Sequence, residues 1–151
     1  MPHPSDSQAQ RDAEQYILRV LSEEGGVPVH GESVCLKEGI HLVLNGCSRE
    51  RCLLCEVYAH IGRTRGAQSH KIARDILKLT AAEHKLGGNW RKVLCFANEA
   101  TAKTVRNESW LAAVAEELQI TTRVIPLPPD LEARVIAAQG HQVTASQRAD
   151  V

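Results

Sequence analysis

Aromatic residues are scarce in this chain, which has only two Trp, two Tyr and one Phe in 151 residues. Proteins that bind single-stranded nucleic acid without sequence preference stack the bases on aromatic rings, so the composition excludes a stacking platform of that kind. A net charge is also absent, because 18 Lys and Arg residues balance 18 Asp and Glu residues. Neutrality argues against a protein that coats nucleic acid by bulk charge, although it leaves room for a local basic patch.

Long apolar runs are missing as well. The chain contains no run of about 18 apolar residues, so we expect no segment that spans a membrane. Its N-terminal sequence, MPHPSDSQAQR, is polar and lacks the apolar segment of a signal peptide, which predicts a cytoplasmic location. Five cysteines, an odd number, fit a reducing compartment better than a disulfide framework.

Three of the cysteines, Cys47, Cys52 and Cys55, have the spacing C-x4-C-x2-C, and Cys95 follows later. This spacing is similar to that of plant-type iron–sulfur ligands. Cluster ligands need a loop that wraps the metal, whereas the pattern predicts Cys52 and Cys55 on opposite faces of one apolar strand. We therefore interpret the cysteines, including Cys35, as small apolar residues in strands rather than as ligands of a cluster or of zinc.

The chain length and 43% hydrophobic residues predict one domain with a real core, over residues 9–142. Residues 1–8 are expected to form a disordered tail, and 143–151 a polar tail. The hydrophobic periodicity predicts eight main elements. These are helix 9–24, strands 27–36, 40–44 and 51–59, helix 67–85, strand 91–97, helix 99–118 and strand 121–127, followed by a short helix 130–139. This order predicts an α/β fold with a mixed central β-sheet flanked by helices on both faces.

The stretch that carries the functional signal runs from Arg51 to Leu79. Glu56 lies in the middle of the apolar strand RCLLCEVYA, and burying an unpaired carboxylate costs several kcal/mol. We therefore expect Glu56 at a functional site or against a partner. The following helix has an apolar stripe and an opposite polar edge. The stripe comprises Ile72, Ala73, Ile76, Leu77 and Leu79, and the edge comprises Gln68, Lys71, Asp75 and Lys78. Glu14 and Glu32 are interpreted as a solvated helix residue and a loop residue.

A basic turn, HIGRTRG, precedes that helix. Between His60 and Lys78 the chain has five Lys or Arg residues against one acid. A glycine-bracketed basic turn at a helix N-terminus predicts a phosphate site, because free N–H groups and the helix dipole both favour anions. Nucleic-acid backbone is the expected ligand, and a solvated basic face is the alternative. The residues expected to contact nucleic acid are His60, Arg63, Arg65, His70 and Arg74.

Residues 10–127 resemble the PD-(D/E)XK nuclease-like superfamily, which has a restriction-endonuclease-like core. In that family an Asp at the end of one strand and a Glu-x-Lys on the next hold a magnesium ion and orient a water. Here Asn45 stands in place of the Asp, and Glu56-Val57-Tyr58 in place of Glu-x-Lys. The resemblance implies a core of helix, three-stranded meander, helix and further strand. The runs EVYAHIG, R-G-A-Q-x-H-K, D-x-L-K-L and S-W-L are similar to uncharacterised bacterial proteins of the same superfamily.

The resemblance implies a role for each of these residues. Glu56 would be the carboxylate ligand of Mg²⁺, and Asn45 a weaker second ligand, since an amide offers only a neutral oxygen. Tyr58 cannot replace a lysine ammonium, because its hydroxyl is neutral at pH 7. Lys71 would reach in from the helix to supply that charge near the water or the phosphate, with support from Gln68.

Structural interpretations of the same residues stay open. Asn45-Gly46 is a strong hairpin signal, Tyr58 is equally a core aromatic, and Lys71 and Gln68 are equally a solvated helix face. The sequence therefore predicts either a nuclease that hydrolyses phosphodiesters with magnesium, on DNA rather than RNA, or a catalytically degenerate nuclease fold that serves as a binding or assembly module. The resemblance also implies a homodimer or a larger assembly.

Overall fold

The computed structural model of the protein describes residues 4–62 and 67–149, with side chains described for 8–62 and 68–140. Five helices, one 3₁₀ turn and five strands follow one another along these residues. In chain order they are α1 (Pro4–Gly25), β1 (His30–Lys37), β2 (Ile40–Ser48), β3 (Leu53–Tyr58), α2 (Ala67–Leu86), β4 (Arg91–Phe96), α3 (Glu99–Ala102), the 3₁₀ turn (Lys103–Val105), α4 (Trp110–Glu117), β5 (Ile120–Val124) and α5 (Pro129–Ala149).

The strands form one mixed sheet in the order β1-β2-β3-β4-β5. Neighbours β1, β2 and β3 pair antiparallel, as a meander, whereas β3, β4 and β5 pair parallel. One core cluster joins the sheet to α1 and α5, and a second joins the opposite face to α2 and α4. The predicted α/β class, with a mixed sheet between two helical layers, is confirmed.

Strand β3 shows how the sequence makes this arrangement. All six of its residues are buried, because helices cover both faces, and such strands are apolar along their whole length. Leu53, Cys55 and Val57 pack on the α1 and α5 side. Leu54 and Tyr58 pack on the α2 side, which is the side that Glu56 shares by the alternation of the strand.

The Asn45-Gly46 hairpin was a wrong prediction. Strand β2 continues through both residues to Ser48, and the tight turn between β1 and β2 is at Glu38-Gly39, with Gly39 at φ +76°. Gly46 is needed for a packing reason instead. A Cβ there would lie 2.7 Å from Leu18 Cδ2 and 2.9 Å from Val29 Cγ1, so the bare backbone lets α1 approach the sheet.

Other boundaries differ for local reasons. The predicted helix 99–118 is interrupted, because Ser109 begins a second helix by accepting a hydrogen bond from the Ala112 N–H. Asn98 caps the first part as predicted, accepting from the Thr101 N–H. Helix α1 begins at Pro4, within the expected tail, and α5 continues past residue 139 to Ala149. Of the helices in the described ranges, none combines the length and apolar character needed to cross a membrane.

Two side-chain predictions also fail. Leu77, assigned to the apolar stripe of α2, is 67% exposed, because it lies on the outer side of the helix. Glu32 is not a loop residue but lies within β1, where it forms an ion pair with Arg49.

The role of Gly46 gives a stability prediction. Gly46→Ala should lower the free energy of unfolding by about 1–3 kcal/mol, because the new methyl group overlaps side chains of α1 and of the segment before β1. Urea unfolding measures the change. Gly31→Ala on the neighbouring strand is the matched control: its Cβ would meet nothing closer than the Leu44 carbonyl oxygen at 3.5 Å, so we expect a change within about 0.5 kcal/mol. Equal losses in both variants would contradict this account of Gly46.

Candidate functional site

A layer of polar side chains lies between β3 and α2. On the strand, Glu56 and Tyr58 are two residues apart and therefore share one face. On the helix, Lys71, Asp75 and Lys78 are spaced by four and three residues and therefore form one stripe. We call these five residues the polar layer. Asp75 and Glu56 are each only 2% exposed, so the helix edge predicted to be polar faces the sheet rather than solvent.

Glu56 has two hydrogen-bonding partners in the described chain, and both contact the same oxygen. Lys78 Nζ lies 3.0 Å from Glu56 Oε1, and the backbone N–H of Asn45 donates to it at 3.2 Å. Burial raises the pKa of Glu56, against the lowering effect of Lys78, and the nearby charge of Asp75 raises it further. Both of these contacts therefore fall on Oε1 rather than on Oε2.

Asn45 lies where β2 and β3 separate. The ladder between the two strands ends at the pair Gly46 and Cys55. Beyond it, Asn45 Oδ1 accepts a hydrogen bond from the Val57 N–H at 3.0 Å, while its own N–H donates to Glu56. The side-chain oxygen predicted to be a metal ligand is thus already bonded to the backbone of β3.

Asp75 is the residue that the ion pairs leave unsatisfied. Among the described residues, its Oδ2 is the one buried side-chain nitrogen or oxygen without a hydrogen-bond partner. Burial raises the pKa of Asp75, and the charges of Lys71, Lys78 and Arg74 only partly offset this. An unmade hydrogen bond of a buried carboxylate is expensive, so a proton or a ligand at this oxygen would be stabilising.

A third carboxylate approaches the polar layer from α1. Burial raises the pKa of Glu14, which interacts with Lys71, Asp75 and Lys78 through their charges and accepts a hydrogen bond from Gln10. Glu14 is thus half-buried and close enough to the polar layer to interact with its charges, so it is not the fully solvated residue that was predicted. With all groups ionised, three carboxylates (Glu14, Glu56, Asp75) and two ammonium groups (Lys71, Lys78) carry 2 − 3 = −1 charge.

Tyr58 and Lys71 form the next part of the layer. Lys71 Nζ lies 5.0 Å from the centroid of the Tyr58 ring, at cation–π distance. Tyr58 also packs edge-on against Phe96, so it is a core aromatic that borders the site. Burial and the charge of Asp75 raise the pKa of Tyr58 to about 12, which keeps its hydroxyl protonated at neutral pH.

His60 continues the row of Glu56 and Tyr58 beyond the end of β3. The Gln68 amide nitrogen lies 3.2 Å from His60 Nε2, and the Tyr58 and His60 rings are 5.9 Å apart. Burial and the positive charge of Lys71 lower the pKa of His60, so the imidazole is neutral at pH 7. Gln68 therefore lies beside His60.

Two amide side chains hold the backbone that follows β3. Gln139 accepts from the Ile61 N–H at 2.8 Å and donates to the Ile61 carbonyl at 2.9 Å. Asn98 donates to the His60 carbonyl at 2.7 Å and accepts from the Gly62 N–H at 3.3 Å. The carboxyl end of β3 is therefore fixed to β4 and α5 at the edge where open α/β sheets commonly bind ligands.

The structure brings together part of the predicted site. Glu56, Tyr58, Lys71 and Asn45 meet between β3 and α2. His70 and Arg74 are exposed on α2, and Arg63 and Arg65 lie outside the described residues.

Asp75, Lys78 and Glu14 were not predicted as site residues. For the two helix residues a signal existed, since their spacing from Lys71 places all three on one face. For Glu14 the sequence offered none.

The cysteines are placed on different sides of the sheet. Cys55 and Cys95 belong to the core cluster under α1, with their sulfur atoms 3.6 Å apart, whereas Cys47 belongs to the cluster under α2. Cys52 lies in the turn before β3 at φ +48°, rather than in the strand as predicted. Within the described residues no group of three or more His, Cys, Asp or Glu side chains is arranged to hold a metal ion.

The raised pKa of Asp75 gives a prediction on stability. Between its unfolded value, near 3.8, and its higher folded value, the native state binds more protons than the unfolded state, so this residue lowers stability as pH rises. Asp75→Asn should therefore unfold with a free energy higher by about 1 kcal/mol at pH 8, with the gain vanishing near pH 4. Denaturant unfolding at several pH values measures this. Glu38→Gln, at an exposed turn, should show no such trend, and a D75N variant less stable at pH 8 would contradict the prediction.

A scan against models of protein families, a search of curated proteins and a search of solved structures each found no match to this chain.

Proposed function

We propose that the polar layer binds Mg²⁺ and, through it, a nucleic-acid phosphate, and that the protein hydrolyses phosphodiester bonds. The observation that carries the proposal is the buried, unpartnered Oδ2 of Asp75, whose charge acts on the neighbouring buried carboxylate of Glu56. Two neighbouring buried carboxylates, one of which has an oxygen without a donor, suit a hard cation. Mg²⁺ usually takes only one or two carboxylates, with water and phosphate oxygens completing its shell.

The charge of the polar layer together with Glu14 supports this ligand and its order of binding. At −1, the five ionised groups repel a phosphodiester, which also carries −1. A divalent cation changes the sum to +1, which attracts it. Nucleic-acid binding at this site should therefore depend on the metal, in contrast to binding by a simple basic surface.

The roles of the side chains follow from their places. Glu56 and Asp75 would hold Mg²⁺, which when bound lowers the pKa of a coordinated water and polarises the phosphate. Asn45 orients Glu56 through its backbone N–H and fixes the separating strands. Lys78 contacts Glu56, and Lys71 stands over Tyr58 as a second positive charge facing the site.

We place the protein in the PD-(D/E)XK nuclease-like superfamily as part of this proposal. Support comes from the element order α1, a β1-β2-β3 meander, α2 and β4, which is the order the resemblance implies. The strands lack the family's aspartate and lysine, at Asn45 and Tyr58. Helix α2 supplies a carboxylate at Asp75 and an ammonium at Lys78 instead, so both chemical groups are present from a different element.

A second candidate is a binding or assembly module without catalysis. The observation in its favour is that Lys78 already neutralises Glu56, since a buried ion pair is a sufficient structural explanation for that carboxylate. Under this account a proton, rather than a cation, would satisfy Asp75, and nucleic acid or a protein partner would bind without metal.

Calorimetric titration with Mg²⁺ and Mn²⁺ separates the two candidates. The wild type should bind one ion, and Glu56→Gln and Asp75→Asn should each weaken binding by at least about tenfold, because each removes one charged ligand. Glu38→Gln is the control for loss of an exposed carboxylate and should bind like the wild type.

Cleavage of labelled duplex DNA, single-stranded DNA and RNA, with Mg²⁺ or with chelator, tests the reaction. We expect cleavage, preferably of DNA, that requires the metal and is lost in Glu56→Gln. Absence of metal binding in the wild type, together with nucleic-acid binding that a chelator leaves unchanged, would reject the nuclease in favour of the binding module.

A further inference from the structure

We infer that Lys78 is a movable counter-ion that occupies Glu56 in the cation-free protein and is displaced toward the phosphate when the metal binds. The inference rests on the proposed function and concerns how that same site is regulated. It makes Lys78 a competitor of the metal as well as a contact for the substrate.

The first support is the geometry of the ion pair. Lys78 Nζ lies 3.0 Å from Glu56 Oε1, at direct hydrogen-bond distance, so the ammonium stands where positive charge is needed while no metal is present. A dication at the same carboxylate would be repelled by an ammonium so close to it. Metal binding and the Lys78–Glu56 contact therefore oppose each other.

The second support is the difference in exposure of the two partners. The Glu56 side chain is 2% exposed and is held by the Asn45 N–H, whereas the Lys78 side chain is 23% exposed. Lysine has a flexible four-carbon stem, so Lys78 can turn its ammonium outward without moving α2, while Glu56 has to stay. The exchange thus needs a rotamer change in one residue only.

The third support is that the remaining ammonium of the layer is held elsewhere. Lys71 lies over the Tyr58 ring, and the structure gives it no ion pair with Glu56 in the described residues. Once displaced from Glu56, the Lys78 ammonium would contact an incoming phosphate instead. The metal would therefore bind before the phosphate. Its binding would stay weak until a phosphate contacts the displaced ammonium of Lys78.

Removal of the competitor should tighten metal binding. Lys78→Met should bind Mn²⁺ at least about tenfold more tightly than the wild type in calorimetry at pH 8, because the cation no longer has to displace an ammonium. The same variant should lose metal-dependent nucleic-acid cleavage, because the phosphate loses its contact. Lys85→Met, which removes a lysine from an exposed position two turns further along α2, is the matched control and should bind Mn²⁺ like the wild type.

Lys78→Gln provides a second test, since it removes the charge but retains a hydrogen-bond donor for Glu56. It should also tighten Mn²⁺ binding and serves in place of Lys78→Met if that variant does not fold. If the wild type binds Mn²⁺ and the folded Lys78 variants bind it equally or more weakly, the counter-ion inference fails and the proposed function stands. If neither the wild type nor the variants bind Mn²⁺, the metal site itself is wrong, and both proposals fail.

Discussion

The burial of Glu56 is the constraint on which the rest of the site depends. A carboxylate in the centre of a sheet covered on both faces is stable only if other groups compensate its charge and its hydrogen bonds. Lys78 supplies the charge from α2, and the Asn45 N–H supplies a hydrogen bond where β2 and β3 separate. The separation of the strands and the orientation of α2 therefore both help to compensate the buried charge of Glu56.

Helix α2 links the groups that compensate Glu56 to the hydrophobic core. Ile72, Ile76 and Leu79 are fully buried on one stripe, and the neighbouring stripe carries Asp75 and Lys78. Because both stripes belong to one rigid helix, the packing of the apolar side chains fixes the position of the polar ones to within a rotamer change. A functional site on such an element is held more precisely than one on a loop.

Much of the fold was predictable because strong local patterns coincide with burial. The apolar run of β3 is a buried strand, and the periodicity of α2 marks its buried stripe except at Leu77. Glu56, isolated in that strand, is buried against Lys78. Gly46 does not, because a turn signal in the sequence cannot be distinguished from a glycine required by a helix packing across the strand. Lys78 rather than Lys71 contacts Glu56, since the rotation and height of α2 over the sheet are properties of tertiary packing and not of its periodicity.

Asp75 is the residue of the polar layer that a purely structural role does not explain. The Lys78–Glu56 pair needs no functional explanation, since each partner compensates the charge of the other. Asp75 is different, because a buried carboxylate oxygen without a donor lowers stability by about 1–3 kcal/mol, and a leucine at the same position would avoid that penalty. An unsatisfied group of this kind in a native protein calls for an explanation, such as a catalytic role or a bound water or ion. The residue that is hardest to explain by folding alone is thus the one on which the proposed cation site depends.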